Sequence, residues 1–356
     1  MIGANVSVFS IGKAVGSGAK NLDPVITSSP VTTATETIAY SYQVQATDPE
    51  GGSLTYTLPT KPTGMTISGS GLIAWTPSSA GSESVVVRVT DNKGAFAEQS
   101  YSIAVAVKPN AQILYAVVGG GGNGGVGQHN YGGSGGGGAG AYRDGGWSTS
   151  PSGQMYTVVV GAAEASSSFV GGSISLTSGK GGSGAQAGGA IGGSGDGGGG
   201  GGSGWNGYHG TPAGGSGARG FNGGSAYQNG GGGGGGMGSY GGNSINNYRG
   251  GTGGAGVTCS VSGDQVAGGG AGGAQGIAQG VASHGGGSGN GSLGAVNTGG
   301  GGAGNGGSGG FMASGGSGVV YIKSDYQATA TSGSPTVTSV SGGFLYKFTG
   351  SGTITF

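Results

Sequence analysis

Between residues 23 and 107 apolar and polar positions alternate in short runs. SYQVQATD, SLTYTLPT, GLIAWTP, ESVVVRVTD and QSYSIAVAV place β-branched or aromatic residues at every second position, the period of a strand with one buried face. PEGG, KPTG, SSAG and NKGA stand between them and supply turn conformations. About five to seven short strands at this spacing predict an immunoglobulin-like β-sandwich. Trp75 and Tyr56 are expected in or near its core, with Val85, Val87 and Val89 on one face of a strand.

The alternation then gives way to glycine. Residues 119 to 318 hold 85 of the chain's 101 glycines, and only Pro151 and Pro212 interrupt them. Ordering a glycine backbone costs about 1–2 kcal/mol per residue, so a disordered linker is one reading of the stretch. The flanks support another. AQILYAVVGGGG, QMYTVVVGAA, GGSISLTSGKGG and GSGVVYIKSD are apolar strand segments that open into or close glycine tracts, and lone strands need partners. This predicts a small β scaffold carrying glycine excursions, packed as polyglycine-type helices, left-handed and with three residues per turn. Backbone N–H and C=O pairing would then hold the layer together. The expected class is all-β. Arg143, Asp144 and Trp147 are expected in a loop, with Arg143 and Asp144 paired. Cys259 alternates with Val257 and Val261, which favours a small buried residue over a nucleophile.

Charge narrows the function classes. Twelve basic and twelve acidic residues balance to a formal net charge of zero, so no cationic track is offered to nucleic acid. The single cysteine rules out an intrachain disulfide. No segment has the roughly 18 consecutive apolar residues of a membrane span. The first residues, MIGANVSVFSIGKAVGSGAKN, lack the charged start and apolar run of a secretory signal, so synthesis without a signal peptide is expected. His129, His209 and His284 show no metal-binding spacing. Paired carboxylates for hydrolysis are scarce in the glycine-rich region. The expectation is a non-enzymatic protein with no cofactor and no metal.

Two resemblances add to this. ATDPEGGSLTYTL, PTGMTISGSGLIAWTP and GSESVVVRVTDNKGA, within residues 24 to 107, resemble the cadherin-like and putative immunoglobulin repeats of bacterial surface and phage proteins. Such repeats imply a spacer or weak binder. Some relatives bind calcium through acidic residues, which directs attention to Asp48, Glu50 and Asp91, although a dense run of alternating acidic ligands is missing. LYAVVGGGGNGG, GGGGAGAYRDG, QMYTVVVGAA, GGSGVVYIK and the ending SGGFLYKFTGSGTITF resemble the glycine-rich domain of bacteriophage tail-fibre and adhesin proteins, over about 112 to 356. That resemblance implies a virion location and loop ends that contact a host receptor.

The side chains that interrupt the glycines are the candidate receptor-binding residues: His129, Tyr131, Trp205, Asn206, Tyr208, His209, Phe221, Tyr227, Tyr248 and Arg249. Rings give contact area at low entropic cost and amides give two-way hydrogen bonding. Packing against sheet edges or a neighbouring subunit is the alternative role. The expected organisation is an attachment segment (1–22), the sandwich (23–107), the glycine-rich domain (108–325) and a C-terminal β segment (326–356). The function expected is a phage fibre or adhesin that binds a host-surface glycan or outer-surface protein. It would attach to other virion proteins through residues 1–22, with homo-oligomerisation left open. A head fibre or capsid decoration protein and a bacterial surface adhesin are the alternatives.

Overall fold

A computed structural model describes residues 20–127, 132–204, 213–245, 248–275, 279–289, 291–307 and 311–356. The chain forms two compact units, Met1–Pro109 and Asn110–Phe356.

In the first unit the strands are β1 (Val25–Ile26), β2 (Thr33–Thr35), β3 (Tyr40–Gln43), β4 (Ala46–Thr47), β5 (Thr55–Thr60), β6 (Thr66–Ile67), β7 (Leu72–Trp75), β8 (Gly81–Thr90) and β9 (Phe96–Ala106). One sheet has the order β2-β9-β8-β5 and the other β3-β7-β6, while β1 pairs with β4. Alternate residues Val85, Val87 and Val89 of β8 are fully buried between the sheets. They pack with Tyr42, Met65, Ile73, Trp75 and Ile103. The Trp75 indole N–H donates to the Thr63 carbonyl at 3.1 Å, so the ring is buried with its polar group satisfied. Residues 23–106 form an immunoglobulin-like sandwich, in agreement with the alternation.

The second unit contains β10 (Ala111–Val118), β11 (Tyr142–Ser150), β12 (Met155–Val159), β13 (Ser167–Gly171), β14 (Ile174–Ser178), β15 (Val257–Thr258), β16 (Gln265–Val266), β17 (Val319–Ser324), β18 (Ala330–Thr331), β19 (Thr336–Val340), β20 (Gly343–Phe348) and β21 (Gly352–Thr355). Two five-stranded sheets, β11-β10-β17-β20-β19 and β14-β13-β12-β21-β18, enclose a core that includes Ile113, Tyr156, Phe169, Ile322, Tyr346 and Phe356. The strands after residue 325 thus complete both sheets. Arg143, Asp144 and Trp147 lie in β11 rather than a loop. Nor do Arg143 and Asp144 pair: Arg143 donates to the Thr177 carbonyl and Asp144 accepts from Ser260. Antiparallel pairing with β10 draws the segment into the sheet.

The expectation of packed polyglycine helices is overturned. No described residue lies in a helix. Lateral pairing alone satisfies the backbone: glycine N–H groups bond other segments of the chain, as the expected layer required, without any described segment being helical. Residues 132–141 show this best. Gly133, Gly136 and Ala139 donate to Asn229, Gly232 and Gly235; Ser134, Gly137 and Gly140 to Asn305, Gly302 and Gly299; Gly135, Gly138 and Ala141 to Ala185, Gly182 and Gly179. Carbonyls of the same segment accept from Gly119, Gly122 and Gly125, from Gly198, Gly201 and Gly204, and from Gly270 and Gly273. One extended segment is therefore bonded to six others, which satisfies the buried backbone groups that would otherwise destabilise it. Side chains would not fit in most of this layer. A Cβ on Gly137 would stand 2.6 Å from the Gly122 carbonyl carbon and 2.7 Å from the Asn123 oxygen.

The hairpin of β15 and β16 returns to the five-stranded sheet containing β10. Cys259 and Val266 bury against Ala116, Val118, Val319 and Tyr321, in keeping with the structural role expected of the cysteine. Asp264 accepts from Tyr321 Oη at 2.6 Å and from Lys347 Nζ at 2.8 Å. Partial desolvation opposes its ionisation, but these two hydrogen bonds and the lysine charge outweigh it and hold its pKa below the ordinary value.

Candidate functional site

The bonding register gives the glycine layer two ends. Gly119 follows β10 directly and bonds Ala141, which precedes β11; Gly179 follows β14 and bonds the same residue. This is the strand-proximal end. Moving away three residues at a time, Gly122 meets Gly138 and Gly125 meets Gly135, and the series ends where Gly204 donates to Gly133 and Gly133 to Asn229. That far end is the candidate site.

The turn Tyr227–Gly230 closes at the far end through reciprocal backbone hydrogen bonds of 3.1 and 2.9 Å. Gln228 takes φ 47°, a left-handed conformation that a non-glycine residue holds only when its surroundings impose it. Tyr227 is 40% exposed. Nearby, the Ser244 hydroxyl donates to the Arg249 carbonyl at 2.9 Å, and Ser244 N–H donates to the Ser225 carbonyl. Tyr248 is 63% exposed and Arg249 is exposed beside it. Arg249 is the charged side chain among the described residues of this end. The amide oxygen of Asn229 is buried and has no hydrogen-bond partner among the described residues.

Not every expected residue belongs here. Phe221 lies at the strand-proximal end, where Gly199 donates to its carbonyl. Its ring packs edge-on against Tyr240 at 4.8 Å, so it serves packing between neighbouring segments. His129, Tyr131, Trp205, Asn206, Tyr208 and His209 lie outside the described residues. Three apolar residues outside the expected set of aromatics and amides also stand at the far end: Ile245, Phe311 and Met312. Phe311 is 82% exposed, just before Ala313, which accepts from Gly124. A large apolar residue next to a glycine tract was the available signal.

In the sandwich Asp48 and Asp91 cap turns. Asp48 accepts from the backbone N–H of Glu50 at 3.0 Å and of Gly52 at 2.7 Å, and the Glu50 bond leads in holding its pKa low. Asp91 accepts from Asn21 at 2.7 Å, Lys93 N at 2.8 Å and Ala95 N at 2.9 Å. Desolvation works against ionisation of Asp91 but these bonds prevail, and its pKa is lowered. Among the described residues no three His, Cys, Asp or Glu side chains stand together as metal ligands.

The family model described as Putative Ig domain matches residues 23–106, the stretch that holds β1 to β9. No curated protein matches the chain in sequence. Among solved structures, a putative alpha-galactosidase from Bacteroides fragilis NCTC 9343 is similar at 14% identity and a TM-score of 0.21. The similarity covers 24% of this chain and 19% of that one, so the chain spans about a fifth of its length. A likeness of that size carries no argument about activity.

Proposed function

We propose that this protein is a non-enzymatic adhesin carried on the exterior of a bacteriophage particle, which binds a host-surface glycan or outer-surface protein through the far end of its glycine layer. One observation carries the reading. Tyr227, on the tight turn closed by Gly230, and Tyr248, with Arg249 next to it, are exposed beside segments anchored in a backbone-bonded layer. Recognition is best served by side chains whose supports do not move, because little entropy is then lost on binding. The resemblance of the strand elements around the glycine tracts to phage tail-fibre proteins supports the same reading. The sandwich would act as a spacer, and residues 1–22 as the attachment to other virion proteins.

The test is binding of the purified full chain to glycan arrays and to a panel of bacterial envelopes, compared with a Tyr227→Ala/Tyr248→Ala variant. The expected result is saturable binding by the wild type and at least a tenfold loss in the variant, with unchanged circular dichroism. Envelope binding that is equal for both proteins would refute the assignment of the site. Absence of binding to every envelope and glycan, together with incorporation into particles through residues 1–22, would favour capsid decoration.

A further inference from the structure

Sheet edges expose unpaired backbone groups, and folded proteins protect them with charge, proline, bulges or short strands. The second unit follows this rule at three of its four sheet edges. β11 carries Arg143 and Asp144 and has a register shift against β10 between Ile113 and Tyr115. The outer edge of β14 is capped by Arg143, whose Nη1 donates to the Thr177 carbonyl at 2.8 Å. β18 has only two residues.

β19 is different. Its five residues, Thr336–Val340, are regularly paired with β20 with no shift of register, and no other described strand pairs with it. Thr336, Val337, Thr338 and Ser339, which alternate between the two faces of the strand, are all exposed. No charged residue occurs from Gln327 to Tyr346, and the proline of this stretch, Pro335, stands before β19 and removes no N–H from its five residues. The nearest cation on the adjoining strand, Lys347, is already paired with Asp264 at 2.8 Å.

We propose that β19 is an interface strand that pairs antiparallel with β19 of a second copy of this chain, across a two-fold axis at Thr338. A neutral edge can face its own copy without like-charge repulsion, and a two-fold requires such self-complementarity. With Thr338 on the axis, Thr338 stands opposite Thr338, Val337 opposite Ser339 and Thr336 opposite Val340. The alternation of hydroxyl and methyl-bearing side chains then gives compatible cross-strand pairs. The two five-stranded sheets become one continuous sheet. A five-residue strand pair buries less than the ~800 Å² per partner of a standard interface, so the dimer is expected to be weak and to dissociate on dilution.

The test uses the full chain. Sedimentation equilibrium from micromolar to millimolar concentration should show reversible monomer–dimer association. Thr338→Lys, which places two cations on the axis, should abolish it while leaving the thermal melt unchanged. Thr338→Cys should form a disulfide dimer under mild oxidation, because residues opposite each other in antiparallel strands have Cα atoms about 4.5–5.5 Å apart, within disulfide reach. The native Cys259 is buried and does not compete, and Ser82→Cys, on an exposed site of the sandwich, is the control. A wild type that stays monomeric throughout overturns the proposal. So does association that Thr338→Lys leaves intact, or a Thr338→Cys protein that cross-links no faster than Ser82→Cys. If Thr338→Lys fails to fold, the wild-type series and the cysteine pair still decide.

Discussion

Gly137→Ala adds one methyl group to the middle of the glycine layer, and its effect measures how tightly that layer is bonded. The new Cβ would lie 2.6 Å from the Gly122 carbonyl carbon and 2.7 Å from the Asn123 oxygen, with the Gly122 oxygen nearer still. Ordinary contacts need nearly 1 Å more. The obstructing atoms are backbone, so no side chain can rotate away. Relief requires the segment at 119–125 to separate from that at 132–141, which strains the bonds Gly122 N–H to Gly138 and Gly137 N–H to Gly302, each 2.8 Å. Overpacking costs about 1–3 kcal/mol, and each buried backbone group left unbonded costs about 1–3 kcal/mol more. With two such groups the loss is ~3–9 kcal/mol, comparable with the whole stability of a domain at about 5–15 kcal/mol. Gly146→Ala is the control, since its Cβ meets nothing within 4 Å; a shift of at most about 0.5 kcal/mol is expected. The assay is urea unfolding combined with hydrogen exchange of the amides in 133–141. Wild-type protection and an unchanged midpoint for Gly137→Ala would refute the bonding scheme.

Three further predictions concern the layer, the β15–β16 hairpin and the sandwich in turn. Ser134 places its hydroxyl inside the layer, donating to Gly125 at 2.7 Å and accepting from Asn305 N–H at 2.7 Å; Ser134→Ala should cost about 1–3 kcal/mol by leaving that N–H unpaired, read as a lower urea midpoint. Asp264 has a lowered folded pKa, so its contribution is present above the unfolded value of about 3.9 and is lost as pH falls through the folded value. Thermal melts of the wild type should therefore fall more steeply in acid than those of Asp264→Asn, and parallel acid limbs would exclude the Lys347–Asp264–Tyr321 contact as a source of stability. In the sandwich, Ile73 is fully buried, and Ile73→Ala should lower stability by about 2–5 kcal/mol in a denaturant titration.

The legibility of the chain divides by side-chain content. Val85, Val87 and Val89 announce a buried face because every second residue is large, and the burial repeats with that period. Tyr156 and Val158 mark a strand for the same reason, whereas Val319 to Ile322 form a continuous apolar run that is buried throughout. β11 escaped because YRDGGWSTS has no such period; its place is set by pairing with β10, a partner that local composition does not reveal. The glycine tracts hide more. A residue without a side chain has no face to bury, so neither the partner of a segment nor its direction can be read from the letters. Phe221 and Tyr227 lie six residues apart and look alike in sequence, yet the segment between them runs the length of the layer and puts them at opposite ends.

Within the tracts, what is legible is the exception. The central segment reads GGSGGGGAGA from Gly132 to Ala141, and its three side chains occur where the structure can receive them. Ser134 spends its hydroxyl on Gly125 and Asn305, and the Ala139 methyl enters the cluster with Ala116 and Val118. Ala141, also fully buried, adjoins β11. A non-glycine residue inside the layer thus reports local room or a bond, whereas one at a turn reports an end. The aromatic interruptions sort by that rule: Phe221 and Tyr240 face each other beside the strands, while Tyr227 and Tyr248 stand at the far end, 40% and 63% exposed. The proposed recognition role goes to the second pair because of this position at the far end, since exposure alone does not separate the pairs: Tyr240 is 65% exposed.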